Sequence, residues 1–140
     1  MNIEIRVPTK AQIVSKGCDV IVAPRGTSWS YHQLGDFAKR RGVYIHHANR
    51  TIHYVGNTTR GQFGTFGERL RREFHESSAG SNRRLFEYLS AISAQLRTCF
   101  LDLTDIDLMV ESTAQLSRES KALILEQALI GVYDPLGNLN

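Results

Sequence analysis

The chain has 140 residues, a formal net charge of +3, 41% hydrophobic and 9% aromatic residues, which are the values of one folded globular domain with a real core. No apolar run is long enough to cross a bilayer and the N-terminus lacks the apolar core of a signal peptide, so a soluble, cytoplasmic protein with no membrane partner is expected. Cys18 and Cys99, the only cysteines, show neither metal-ligand spacing nor a disulfide framework and are read as reduced thiols.

Asn2–Val7 alternates apolar and polar residues and predicts a half-buried strand. Asp19–Ala23 is a short β-branched run ended by the turn signal Pro24-Arg25-Gly26. A short helix is expected next, capped by Ser28 or Ser30, with Leu34 and Phe37 as its apolar contacts and Gly42 ending it. "VYIHH" and "TIHYV" predict an antiparallel hairpin joined through Ala48-Asn49-Arg50, where Asn tolerates a positive φ. The glycine-rich stretch after Gly56 is a loop.

Thr65 is the expected N-cap of the following helix, with Glu68 placed as in a capping box. Phe66, Leu70 and Phe74 recur at spacings of four and form its buried stripe. Leu85, Leu89, Ile92 and Leu96 mark a second amphipathic helix. Thr98–Leu103 is expected as a third strand beside the hairpin. The last helix starts at Ser117, buries Leu123, Leu125 and Ile130, and stops near Pro135. The expected fold is therefore α/β of the α+β kind: a small three-stranded antiparallel sheet flanked by helices. Residues 1–41 form an N-terminal extension packed on the domain of residues 42–140.

Three constellations carry chemistry. The hairpin brings Tyr44 near Tyr54, since cross-strand partners lie roughly 5 Å apart, and Gly42 and Gly56 allow close approach of a backbone or ligand. Strand packing is the plain alternative for both tyrosines. The helix "GERLRREFHE" presents Arg69, Arg71, Arg72 and His75, with Arg71 and His75 on one face; its arginines are either phosphate ligands or a solvated face. Glu126 lies in a strongly apolar helix and faces either a cation or a narrow polar stripe. His46, His47 and His53 on the hairpin match no zinc-site spacing and read as packing or exposed residues. Basic residues cluster in the first two thirds of the chain, and Arg outnumbers Lys, which favours an anionic partner such as nucleic acid.

In order along the chain, Gly42-Val43-Tyr44, Tyr54-Val55-Gly56, an arginine in the next helix, Glu126 and the segment Pro135 to Asn138 resemble the GIY-YIG nuclease superfamily. The resemblance runs from Gly42 to the C-terminus. It implies a metal-dependent DNA endonuclease in which Tyr44 is the general base, Tyr54 supports it, Arg69 stabilises the phosphate and Glu126 binds Mg²⁺ or Mn²⁺. Tyrosine serves as a base only if nearby cations lower its pKa from about 10. Arg71 and Arg72 are expected at the DNA, as is Asn138. The family often carries His or Tyr four residues after its arginine; that position is Glu73 for Arg69 and His75 for Arg71, so Arg71 with His75 is the alternative pair. The rival function is a non-cleaving DNA-binding module on the same fold. A third option is a subunit whose first forty residues dock to a partner.

Overall fold

The computed structural model describes residues 1–20, 22, 29–59, 64–74, 80–92 and 95–138. The main sheet is built on a hairpin of β3 (Gly42–Ala48) and β4 (Thr51–Thr58). Its turn residues Asn49 and Arg50 both have positive φ, 51° and 65°, which matches the right-handed twist of the strands it joins. On the other side β3 pairs with β5 (Arg97–Asp102), which in turn pairs with the two-residue strand β2 (Cys18–Asp19). The order is β2-β5-β3-β4, all antiparallel, so the expected three-stranded sheet gains a fourth, short edge strand. Of the expected Asp19–Ala23 strand only Asp19 is in β2, while Ile21 and Ala23 lie outside the described residues.

Every residue of β3 is buried, because both faces of the sheet are covered. The alternation of the strand sorts its side chains. Tyr44 joins one core with Phe66 and Leu70 of α2 (Phe66–Glu73), Phe74 at its C-cap, and Phe86 and Leu89 of α3 (Gly80–Ala91). A 3-10 segment, Tyr31–Lys39, completes that side with Leu34 and Ala38, capped by Ser30 and kinked at Gly35. Val43 and Ile45 join the second core, with Ile13 of α1 (Lys10–Ser15), Ile106 of α4 (Leu103–Met109) and Leu125 and Leu129 of α5 (Arg118–Tyr133). The first 41 residues thus supply side chains to both cores.

Three expectations are corrected. The N-terminal strand is β1 (Ile3–Ile5), and it pairs with β6 (Val110–Ser112) in a separate two-stranded ribbon. All three residues of β1 are exposed rather than half-buried. The strand expected over Thr98–Leu103 stops at Asp102, whose carboxylate caps α4 in a reciprocal box with Asp105. In α5 the buried set is Ala122, Leu125 and Leu129, at spacings of three and four; Leu123 is exposed and Ile130 only partly buried. Among the described residues no helix is long and apolar enough to cross a membrane.

Candidate active site

The register of the hairpin sets the site. Tyr44 pairs with Gly56, and His46 pairs with Tyr54. Tyr44, His46, Tyr54 and Gly56 therefore lie on one face, and the Tyr44 and Tyr54 rings stack with centroids 6.1 Å apart and planes 12° from parallel. A β-carbon on Gly56 would sit 2.4 Å from the Tyr44 hydroxyl, so glycine is what lets the phenol lie over β4.

Helix α2 crosses this face. Thr65 accepts the Glu68 N–H and starts it, and Phe66, Leu70 and Phe74 are fully buried as expected from their spacing. That packing turns the next face of the helix toward the tyrosines. Arg69 Nε donates to the Tyr44 hydroxyl at 3.3 Å, and its side chain remains 40% exposed. Arg71 instead points outward and lies 4.0 Å from Glu68 in a surface ion pair, and Arg72 is exposed. Arg69, not Arg71, is the arginine brought to the hairpin. His75, the expected partner of Arg71, lies outside the described residues.

Glu73 is the residue that the sequence reading passed over. It follows Leu70 by three and so falls on the buried stripe, where a carboxylate is unusual. It is 1% exposed and accepts the Tyr44 O–H. Its other oxygen lies 2.8 Å from His46 Nε2, and the Thr98 hydroxyl lies 2.8 Å from His46 Nδ1. The bonding is complete when Thr98 donates to Nδ1 and the Nε2–H donates to Glu73. Arg69 Nε is 3.5 Å from Glu73. A charged residue at the seventh position after Phe66 was the signal for this cluster.

These surroundings act against one expectation, that nearby cations lower the Tyr44 pKa. Burial, and then the Glu73 charge, hold the Tyr44 phenol well above its ordinary value, and the Arg69 cation does not offset them. Burial and Glu73 also push Tyr54 up to about 12, against the hydrogen bond from Arg69. Tyr44 is wholly buried, whereas Tyr54 is partly exposed. Arg69 is held more firmly cationic, first by Tyr44 and further by Glu73, although its own burial acts the other way. Of the other hairpin histidines, His47 is pushed down to about 4 by burial and by Arg97, and stays neutral at pH 7; His53 bonds the Tyr88 hydroxyl at 2.6 Å.

Glu126 reaches the same edge from α5. It accepts from Asn57 Nδ2 at 2.7 Å, and Asn57 lies on β4 one residue past Gly56. Glu126 raises the pKa of Tyr54, and Arg69 lowers that of Glu126, so the three groups share one electrostatic environment. Burial lifts the Glu126 carboxyl above its ordinary range despite the Asn57 and Gln127 hydrogen bonds and the Arg69 charge. An under-compensated hard carboxylate suits a small divalent cation that keeps most of its waters. Among the described residues no three His, Cys, Asp or Glu side chains converge, so Glu126 is not part of a ready-made three-ligand set.

Asn138, expected at the DNA, is bonded to the edge of the hairpin. Its amide accepts from the Val55 N–H at 2.9 Å and donates to the Val55 carbonyl at 2.8 Å, closing the free edge of β4. Gly137 lies beside it, where a β-carbon would come within 2.4 Å of the His53 carbonyl. Replacing Asn138 with Ala should cost about 1–3 kcal/mol in urea unfolding. No protein-family model matches this chain, and no curated protein matches it.

Proposed function

We propose that this chain is a divalent-metal-dependent phosphodiester hydrolase acting on DNA, built on a GIY-YIG-like site. The observation that carries the reading is the meeting of Tyr44, Tyr54, Arg69 and Glu126, drawn from β3, β4, α2 and α5, at one edge of the sheet. Metal-dependent phosphodiester hydrolysis of this kind uses a cation at the phosphate, a metal-binding carboxylate and a proton acceptor for water. Arg69 is cationic and half exposed beside the tyrosines and supplies the first. Glu126 would hold Mg²⁺ or Mn²⁺, which when bound adds positive charge at the phosphate and acidifies water. The exposed arginines Arg71 and Arg72 on the same helix extend the positive surface toward a polyanion.

The proton acceptor in this reading is Tyr54, the tyrosine that solvent reaches. With its pKa near 12, little of it is ionised at pH 7. More phenolate forms as pH rises, so cleavage should increase by roughly tenfold per unit between pH 7 and 9. Tyr54→Phe should lower the rate about 10²-fold and flatten that rise. A plasmid-nicking assay with Mg²⁺ or Mn²⁺ across this range is the test. A flat profile in the unmodified protein would remove Tyr54 from the role.

A second reading is a non-cleaving DNA-binding module. It is favoured by Tyr44, whose hydroxyl is closed off from solvent and bonded to Glu73. DNA binding that falls steeply with salt, without nicking in either metal, selects it.

A further inference from the structure

We propose that Glu73 is the positioning residue of Arg69: with Tyr44 it anchors the guanidinium on its Nε side and leaves the exposed end of the side chain to meet a phosphate. The proposal rests on the phosphodiester reading above, and it assigns to Glu73 a task that the sequence pattern gave to no residue.

The geometry is one-sided. Arg69 Nε faces inward, 3.3 Å from the Tyr44 hydroxyl and 3.5 Å from Glu73. Tyr44 in turn donates its O–H to the same Glu73 oxygen, Oε2, so carboxylate, phenol and Nε form a closed triangle. Glu73 Oε1 is held from behind by His46, and His46 by Thr98 on β5. The Glu73 side chain is 2% exposed while that of Arg69 is 40% exposed, so the anchor is interior and the free end of the arginine is at the surface. A guanidinium fixed through Nε, with a further hydrogen bond to Tyr54, keeps its remaining terminal N–H groups directed outward to a phosphate.

A purely structural role explains this arrangement less well. A buried carboxylate is costly, and apolar or neutral residues of similar size commonly stabilise such positions as well or better. What the charge adds is a fixed direction for Arg69. Tyr44 is then an interior brace for the arginine, which accounts for its complete burial and its bond to Glu73.

The test is Glu73→Gln, which keeps shape and removes charge, read by two measurements on the full chain. In ¹⁵N-detected NMR the Arg69 Nε–H should exchange with solvent at least about tenfold faster in the variant, since its acceptor Tyr44 loses the carboxylate that fixes the hydroxyl and the guanidinium loses its ion pair. In DNA cleavage, kcat should fall on the order of 10²-fold, the effect of a misplaced group, while KM changes little. In an Arg69→Lys background, Glu73→Gln should have almost no further effect on kcat, because the residue it positions is already altered. Unchanged Nε–H exchange, an unchanged kcat, or a full additional loss in the Arg69→Lys background overturns the proposal. Absence of cleavage by the unmodified protein in both metals overturns the hydrolase reading instead, and the grip on Arg69 is then decided by the Nε–H exchange alone. Tyr44→Phe is the second variant: it removes the phenol side of the triangle and should speed Nε–H exchange even if Glu73→Gln does not fold.

Discussion

Replacing Glu126 with Gln is expected to lower metal-dependent cleavage at least about 10³-fold while making the metal-free protein more heat-stable at pH 7. The first effect follows from its place as the carboxylate that shares an environment with Arg69 and Tyr54. The second follows from linkage. Burial raises the Glu126 carboxyl in the folded state above its ordinary value of 4.5, so the folded protein holds that proton more tightly than the unfolded chain does. Stability from this group is therefore complete below the unfolded value and lost as pH rises through the folded value. Gln carries no charge to desolvate and still offers Asn57 an acceptor. The gain in melting temperature should be present at pH 7 and vanish near about pH 4. Added Mg²⁺ should raise the melting temperature of the unmodified protein and not of the variant. A Glu126→Gln protein that nicks plasmid at the native rate would remove the metal from this position.

Much of this site could be read locally. The hairpin was legible from two β-branched runs around Asn49, and α2 from the spacing of Phe66, Leu70 and Phe74. Those two elements suffice to bring Arg69 toward Tyr44. The pieces that escaped depend on contacts far apart in sequence. Pairing of Ile3–Ile5 with Val110–Ser112 leaves no mark in either segment alone. The helix after Asp102 did leave one, an Asp at each end of a capping box, but the alternation Leu101-Asp102-Leu103 reads as continued strand. Leu123 was expected inside because it is apolar, yet the buried face of α5 is set by Ala122 and Leu125.

Glu73 is the more instructive case. In the resembled family a His or Tyr often follows the arginine by four residues, and Glu73 looks like a departure. The imidazole is nonetheless close by, supplied by His46 from β3, two residues after Tyr44 on the same strand face. The sequence shows the carboxylate on a buried stripe and the histidine on a buried strand. Only the crossing of α2 over β3 shows that each is the partner that makes the other tolerable inside.

The mirrored glycines of the hairpin should prove hard to replace, for two different reasons. Gly42 has φ +150°, and a β-carbon there would lie 2.0 Å from the Leu101 carbonyl oxygen of β5. Both partners are backbone in a paired register, Gly42 opposite Asp102, so neither can turn aside. Gly42→Ala should cost more than about 3 kcal/mol by parting β3 from β5 at the base of Tyr44. Gly56→Ala meets a side chain instead, with Tyr44 Cζ and Oη both at 2.4 Å. Tyr44 is hemmed in by the Phe66 ring at 6.2 Å and by its bond to Glu73, so it cannot swing away cheaply. The expected cost is about 2–3 kcal/mol, with the Tyr44–Glu73 bond displaced. A double-mutant cycle in urea separates the two causes. In a Tyr44→Leu background Gly56→Ala should become nearly neutral, because the ring it strikes is gone, while Gly42→Ala should keep its full cost. Equal costs of Gly56→Ala in both backgrounds would mean that the glycine serves the strand and not the phenol.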